Sequence, residues 1–208
     1  GTFGSVGLGW VASEESFIKD VKGIDYLKFR ASWGQTGNAN GFADNLYKPG
    51  ISNASTAIFG NNVYTAIQAA YIPDPNLHWE VVTGTDIGVD FKTLNNKLSA
   101  EITYYSRKTT DILTGVALPN ETRSYFTNLG SITNKGIEVS LTWNDQIGKN
   151  FSYSVSPNFS YNKNVVNSIG DNTNFQLIGN GGANLTETGK SIGYFYGYKT
   201  EGVIQNAT

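Results

Sequence analysis

From Asn150 to Lys163 the chain reads N-F-S-Y-S-V-S-P-N-F-S-Y-N-K, with Phe151, Tyr153, Val155, Pro157, Phe159 and Tyr161 alternating with Ser152, Ser154, Ser156, Asn158, Ser160 and Asn162. Successive side chains of a strand point to opposite faces, so this segment has one apolar face and one wholly polar face. Strands in soluble domains usually run about 5 to 6 residues, whereas a tilted strand crossing a bilayer takes about 9 to 11. Aromatic residues at both ends with Val between them match the way a membrane strand places rings in the two interfacial girdles. Lipid on one side and water on the other account for both faces.

The pattern recurs along the chain. Phe3 to Val11 sets Val6, Leu8 and Trp10 on one side, and Ala12 to Asp25 reads as a connection with one or two helical turns. Tyr26 to Thr36 sends Leu27, Phe29, Ala31 and Trp33 one way and Lys28, Arg30 and Ser32 the other. Leu77 to Phe91 opposes Ile87, Val89 and Phe91 to Asp86 and Asp90, and a turn at Asn95-Asn96 leads into a run that opposes Leu98, Ala100, Ile102 and Tyr104 to Glu101 and Thr103. Two such runs joined by an Asn-rich turn form an antiparallel hairpin. A fifth strand ends at Trp143 with Ile137, Val139 and Leu141 opposed to Glu138, and a seventh begins near Ile192 with Tyr194, Tyr196 and Tyr198. Long connections at about 37–78, 109–124 and 164–189 all fall at one end of the sheet and short ones at the other, as in an outer-membrane barrel with turns in the periplasm and loops outside. The expected fold is all-β, an antiparallel up-and-down sheet of about seven strands. Its lipid-facing set is Leu27, Phe29, Trp33, Ile87, Val89, Phe91, Ile137, Val139, Leu141, Phe151, Tyr153 and Val155. Its lumen-facing polar set is Lys28, Arg30, Asp86, Asp90, Glu101 and Glu138. A soluble β-sandwich alternates in the same way, and period two alone does not separate the two, but it predicts shorter strands.

Charged residues make up 15% of the 208 positions, well below the roughly 25% of ordinary soluble domains. A formal net charge of −2 argues against a nucleic-acid partner, which needs a concentrated basic surface. Without cysteine there is neither a disulfide framework nor a thiolate metal site. His78 is the one histidine, which rules out a multi-histidine metal site, and its place between Leu77 and Trp79 at a strand start points to a structural role. The inward carboxylates offer pairs of the kind glycosidases use, but a mutually paired lumen wall is the expected role, and neither catalysis nor a cofactor is expected. Tyr47, Phe59, Tyr64, Tyr71, Tyr125 and Phe175 stand among many Asn residues in the loops and are the candidate ligand-contacting aromatics. No segment approaches the eighteen or so apolar residues of a membrane helix. The first residue is Gly, and the chain is expected to be a processed or excised segment.

Several runs form a recognisable set: S-V-G-L-G-W at Ser5 to Trp10, L-K-F-R-A-S-W-G-Q-T-G-N at Leu27 to Asn38, P-D-P-N-L-H-W-E at Pro73 to Glu80, and N-K-G-I-E-V at Asn134 to Val139. S-Y-N-K-N at Ser160 to Asn164 and I-G-Y-F-Y-G-Y at Ile192 to Tyr198 complete it. Across nearly the whole chain and in order, they resemble the C-terminal part of the barrel in SusC/RagA-type TonB-dependent outer-membrane transporters. The resemblance implies that residues 1–208 are part of a transmembrane barrel of about 22 strands, with the plug and the remaining strands outside this chain. It further implies location in the outer membrane, contact with outer-membrane lipid, energy relayed through the TonB system, import of glycan oligomers or peptides, and a SusD-like surface lipoprotein as partner. Such proteins are carriers and not enzymes. The reading from another class is a secreted or surface β-rich carbohydrate-binding module, in which the apolar set would meet in a dry core. A sheet of seven strands is too small to close the parent barrel, so it is expected either to curl or to self-associate through its edges.

Overall fold

Alternation of this length becomes one broad antiparallel sheet. The computed structural model of the chain describes residues 1–38, 46–48, 50–116, 120, 123–170, 175–178, 182–199 and 202; the side chains of residues 54, 55, 124 and 175–178 lie outside that description. The strands in chain order are β1 (Ser5–Val11), β2 (Tyr26–Asn38), β3 (Ile51–Phe59), β4 (Asn62–Ala69), β5 (Tyr71–Ile72), β6 (Glu80–Thr93) and β7 (Leu98–Val116). There follow β8 (Ser124–Ile147), β9 (Phe151–Val155), β10 (Asn158–Ser168), β11 (Phe175–Ile178), β12 (Asn184–Glu187) and β13 (Tyr194–Phe195). The main sheet has the order β1-β2-β6-β7-β8-β10, with β9 also paired to β8 and β5 added in parallel at its start. Among the described residues it does not close on itself, and β1 and β10 are its edges.

Register places the apolar residues in continuous rows. Trp10, Phe29, Val89, Ile102, Val139 and Phe159 are successive cross-strand partners, and so are Leu8, Ala31, Ile87, Tyr104, Ile137 and Tyr161. On the opposite face run Gly9, Arg30, Gly88, Thr103, Glu138 and Ser160, and beside them Lys28, Asp90, Glu101, Ser140 and Asn158. A one-residue slip anywhere would exchange the faces, so six strands agreeing on one register is strong specification.

The segment Asn150 to Lys163 is two strands and not one. Pro157 has no N–H to give the ladder, and pairing lapses between β9 and β10. The face is kept nonetheless: Trp143 opposes Val155 and Val139 opposes Phe159 in the same register, with Leu141 N–H donating to the Pro157 carbonyl at 3.0 Å across the gap. The connection between β7 and β8 is far shorter than 109–124, because β7 continues to Val116 and β8 begins at Ser124. These strands have 19 and 24 residues, about twice what a bilayer crossing takes. The long first connection holds the β3–β4 hairpin, turned at Gly60 (φ 63°). The run from Ile192 does not extend the main sheet; Tyr194 and Phe195 pair with β12 in a three-stranded sheet β11-β12-β13. The connection 12–25 has a single turn of 3-10 helix at Ala12–Glu14.

The small sheet sits against the polar face near the loop ends. Val166, reached by alternation from Ser160, Asn162 and Asn164, is fully buried, and Ile169, Leu185 and Thr186 are buried with it. Gly189 N–H donates to the Val166 carbonyl at 2.8 Å, and Val166 N–H donates to the Lys190 carbonyl at 2.9 Å. Apolar residues on an otherwise polar face are thus explained by what covers them. Elsewhere among the described residues the one buried apolar side chain is Ala12, and on the main sheet Leu8 is 75% and Ile87 54% exposed.

Candidate functional site

The polar face is a wall of interlocked charges. Alternation brings Arg30 from β2, Asp86 and Asp90 from β6, Glu101, Thr103 and Arg107 from β7 and Glu138 from β8 to one surface. Arg30 Nε donates to Asp90 Oδ1 at 3.0 Å, and its Nη2 donates to Thr103 Oγ1 at 2.6 Å while lying 3.6 Å from Glu101 Oε1. Arg107 Nη2 pairs with Asp86 Oδ1 at 3.1 Å, and its guanidinium stands 5.0 Å from the Tyr105 ring centroid. Arg30 and Arg107 therefore each tie neighbouring strands together, and the charged groups stay partly hydrated, where such pairs cost little desolvation.

Two glycines let these side chains lie flat. A Cβ on Gly88 would fall 2.6 Å from Arg30 Cζ. One on Gly136 would fall 2.6 Å from the Tyr105 ring and 2.5 Å from the Tyr161 carbonyl oxygen. Glycine is required there for close approach, which keeps the wall low and its concavities open. One concavity of about 300 Å³ is lined by Glu101, Thr103, Glu138, Ser140, Asn158 and Ser160. Acceptors and hydroxyls dominate it, which suits hydrogen-bonding to polar solutes.

Of the six inward residues named from sequence, Arg30, Asp86, Asp90 and Glu101 form ion pairs, while among the described residues Lys28 and Glu138 form none within 4.0 Å. Lys28 is the cross-strand neighbour of Asp90, and Glu138 stands between Thr103 and Ser160. Tyr105 and Arg107 were missed, although the alternation Glu101, Thr103, Tyr105, Arg107 places them on this face.

Phe59 and Tyr64 stack edge to face at 5.9 Å on the β3–β4 hairpin and are exposed. Tyr47 is exposed beneath Lys48. Tyr71 and Tyr125 belong to strands β5 and β8 and are half-buried, with the Tyr71 ring lying over Gly50. The Phe175 side chain lies outside the described residues.

The sequence motifs meet in space. Rings of Phe3 and Trp79 lie 6.2 Å apart, and a Cβ on Gly37 would collide with both. This joins W-G-Q-T-G-N to P-D-P-N-L-H-W-E. Within the latter, Asp74 is 5% exposed and accepts from Asn76 N–H at 2.9 Å and from the Thr127 hydroxyl at 2.5 Å. Asn128 accepts from His78 N–H at 2.9 Å, donates to the His78 carbonyl at 2.8 Å, and donates to the Asp111 carbonyl at 2.6 Å. Nδ1 of His78 lies 2.9 Å from the Asn76 carbonyl, so it carries the proton, and the ring has a structural place. Asn164 joins three further motifs: its Nδ2 donates to Asn134 Oδ1 at 2.8 Å, and its Oδ1 accepts from Ile192 N–H at 2.9 Å.

Residues 1–201 match the family described as TonB dependent receptor-like, beta-barrel. A TonB-dependent receptor of Formosa agariphila is 35% identical over 210 residues, covering 99% of this chain and 19% of that protein. The TonB-dependent receptor SusC of Bacteroides thetaiotaomicron is 34% identical over 185 residues, covering 85% of this chain and 18% of SusC. Among solved structures, the RagAB peptide importer superposes with TM-scores of 0.79 in its open-open state and 0.77 in its closed-closed state, at 25% identity over 90% of this chain and 20% of that one. The chain therefore spans about a fifth of the length of these relatives. With a two-faced sheet whose register and motifs fit that family from end to end, the chain belongs to the TonB-dependent receptor β-barrels of the outer membrane.

Proposed function

We propose that this chain is a sector of the wall of an outer-membrane importer for glycan oligomers or peptides, driven through the TonB system and capped by a SusD-like surface lipoprotein. The whole protein acts as a carrier and not as an enzyme. The observation that carries the reading is the pair of unlike faces sustained across six strands, lipid for the apolar one and the solute path for the other. Lipid contact falls to Leu27, Phe29, Trp33, Ile87, Val89, Phe91, Ile137, Val139, Leu141, Phe151, Tyr153 and Val155, joined by Leu8, Ile102, Tyr104 and Phe159. On β8 the outward apolar run lies between Lys135 and Asp145. Ten residues at about 3.4 Å each, tilted about 40°, give a height of roughly 26 Å, close to the ~25 Å apolar band of such barrels.

The lumen-facing role belongs to Lys28, Arg30, Asp86, Asp90, Glu101 and Glu138 with Thr103, Tyr105 and Arg107. Tyr47, Phe59, Tyr64, Tyr71, Tyr125 and Phe175 are assigned to the loop end of the barrel near the substrate entrance. A carbohydrate-binding module would have to bury the apolar face, yet among the described residues the buried apolar side chains are Ala12, Val166, Ile169 and Leu185, none of which belongs to that face.

The chain has no cysteine, so single cysteines report without background from this segment. In the whole protein in outer-membrane vesicles, Glu138→Cys is expected to react with a water-soluble maleimide and Val139→Cys with a lipid-dissolved one. Equal reaction of both residues with the aqueous reagent would refute the wall. Uptake of labelled oligosaccharide or peptide that persists without TonB would refute the importer.

A further inference from the structure

We infer that Lys108, Lys135 and Lys163 form a site on the outside of the barrel for the phosphorylated headgroup of an outer-leaflet lipid. The inference rests on the assignment of the apolar face to lipid. Lys135 and Lys163 are direct cross-strand partners on that face. Lys108 pairs with Thr133, the next outward position on β8 beyond Lys135, and so lies diagonal to it. All three are exposed, and among the described residues none forms an ion pair within 4.0 Å. Their neighbours on this face are Ser106, Thr133 and Val165 above and Tyr104, Ile137 and Tyr161 below, with no carboxylate among them. Asp86, Asp90, Glu101 and Glu138 point to the other side of the sheet.

Like charges directly opposite in a sheet are destabilising. On the inward face Arg30 and Arg107 each have a carboxylate partner, whereas here three lysines share one part of the outward face without one. A bound dianionic phosphate would neutralise them. Location selects the source of that phosphate: Lys135 and Lys163 stand one row and Lys108 two rows above Tyr104 and Tyr161, where the apolar band ends, and toward the end that carries the long connections. That is headgroup height in the outer leaflet. A basic cluster with aromatic rings directly beneath presents ammonium groups to phosphate and amphipathic rings to the acyl–sugar boundary.

The test uses the whole transporter, purified in neutral detergent and titrated with diphosphorylated lipid A, with bound lipid counted by native mass spectrometry. Each lysine near an anionic surface strengthens binding by about fivefold, so Lys108→Gln, Lys135→Gln and Lys163→Gln together are expected to weaken it on the order of 100-fold. A charge-matched control, Lys19→Gln, Lys22→Gln and Lys149→Gln at the turn end, is expected to bind as the wild type does. Fully dephosphorylated lipid A is expected to bind wild type no better than the phosphorylated lipid binds the lysine triple variant. Undiminished binding by the triple variant, or equal loss in the control, overturns the site. Displacement of lipid by millimolar inorganic phosphate alone would identify a free-anion site and overturn the lipid assignment. Should the triple variant fail to assemble, Lys163→Gln alone is expected to give the fivefold loss. The cysteine-labelling pattern at Glu138 and Val139 reports on the wall independently, so a correct wall with unaltered lipid binding would remove the lysine site only.

Discussion

Val139→Arg tests the two-faced sheet at its most sensitive point. Val139 lies between Ile102 on β7 and Phe159 on β10, near the middle of the outward run. Lys135 is four residues toward the loops and Asp145 six toward the turns. At about 3.4 Å per residue and a tilt of about 40°, these polar bounds are roughly 10 Å and 16 Å away in depth. An arginine here sits close to the midplane, where a lipid-facing Arg costs about 2–4 kcal/mol. The control is the adjacent Ser140→Arg, which points to the polar face between Glu101 and Asn158. It is expected to change stability by no more than about 0.5 kcal/mol. Both variants would be compared with wild type by urea titration of tryptophan fluorescence in phospholipid vesicles, using the whole transporter, and by heat-modifiability of outer-membrane fractions. Loss confined to Val139→Arg supports opposite environments for neighbouring residues. Equal losses, or an unshifted midpoint for Val139→Arg, would refute them.

Four further outcomes follow from the geometry. Gly136→Ala should cost about 1–3 kcal/mol and should not be relieved by Tyr105→Ala, because the added carbon also meets the Tyr161 backbone; at Gly88 the nearest atoms to an added carbon belong to the Arg30 guanidinium, and Gly88→Ala should be strongly non-additive with Arg30→Ala in a double-mutant cycle. Asn128→Ala removes two hydrogen bonds to the His78 backbone and one to the Asp111 carbonyl, each worth about 0.5–1.5 kcal/mol, and should speed hydrogen exchange around residues 74–80 while leaving β2–β6 pairing protected. The Tyr194 hydroxyl donates to Glu187 at 2.8 Å, which raises its pKa above the ordinary tyrosine value. Protonation is thus favoured in the folded state, the contribution is complete below about pH 10, and it is lost as pH rises through the raised value. Ultraviolet titration of wild type against Tyr194→Phe should show one tyrosine ionising later than the rest.

How far the sequence reached can be read from individual residues. Period two assigned Val139 and Glu138 to opposite faces correctly because strand geometry makes the face a strictly local property. The same rule located Arg30 among carboxylates without naming Asp90 or Thr103 as its partners, since partners depend on register between strands far apart in the chain. Strand ends were least legible. Thr109 to Val116 lacks a membrane-type alternation and reads as loop, yet it pairs with β8 as far as Tyr125, because strands that outrun the bilayer no longer need an apolar face. Pro157 was invisible as an interruption because it sits on the apolar parity and leaves the alternation intact.

The sequence by itself determined the class of fold, the two faces and the family, since alternation, strand length and local motifs are written residue by residue. Tertiary structure alone decided that Gly37 makes room for Phe3 and Trp79, that Gly88 and Gly136 let Arg30 and Tyr105 lie flat, that Asn164 ties three motifs together, and that Lys108, Lys135 and Lys163 gather on one outward patch. Those facts depend on which strands are neighbours and in what register, and that choice is made by the whole sheet at once.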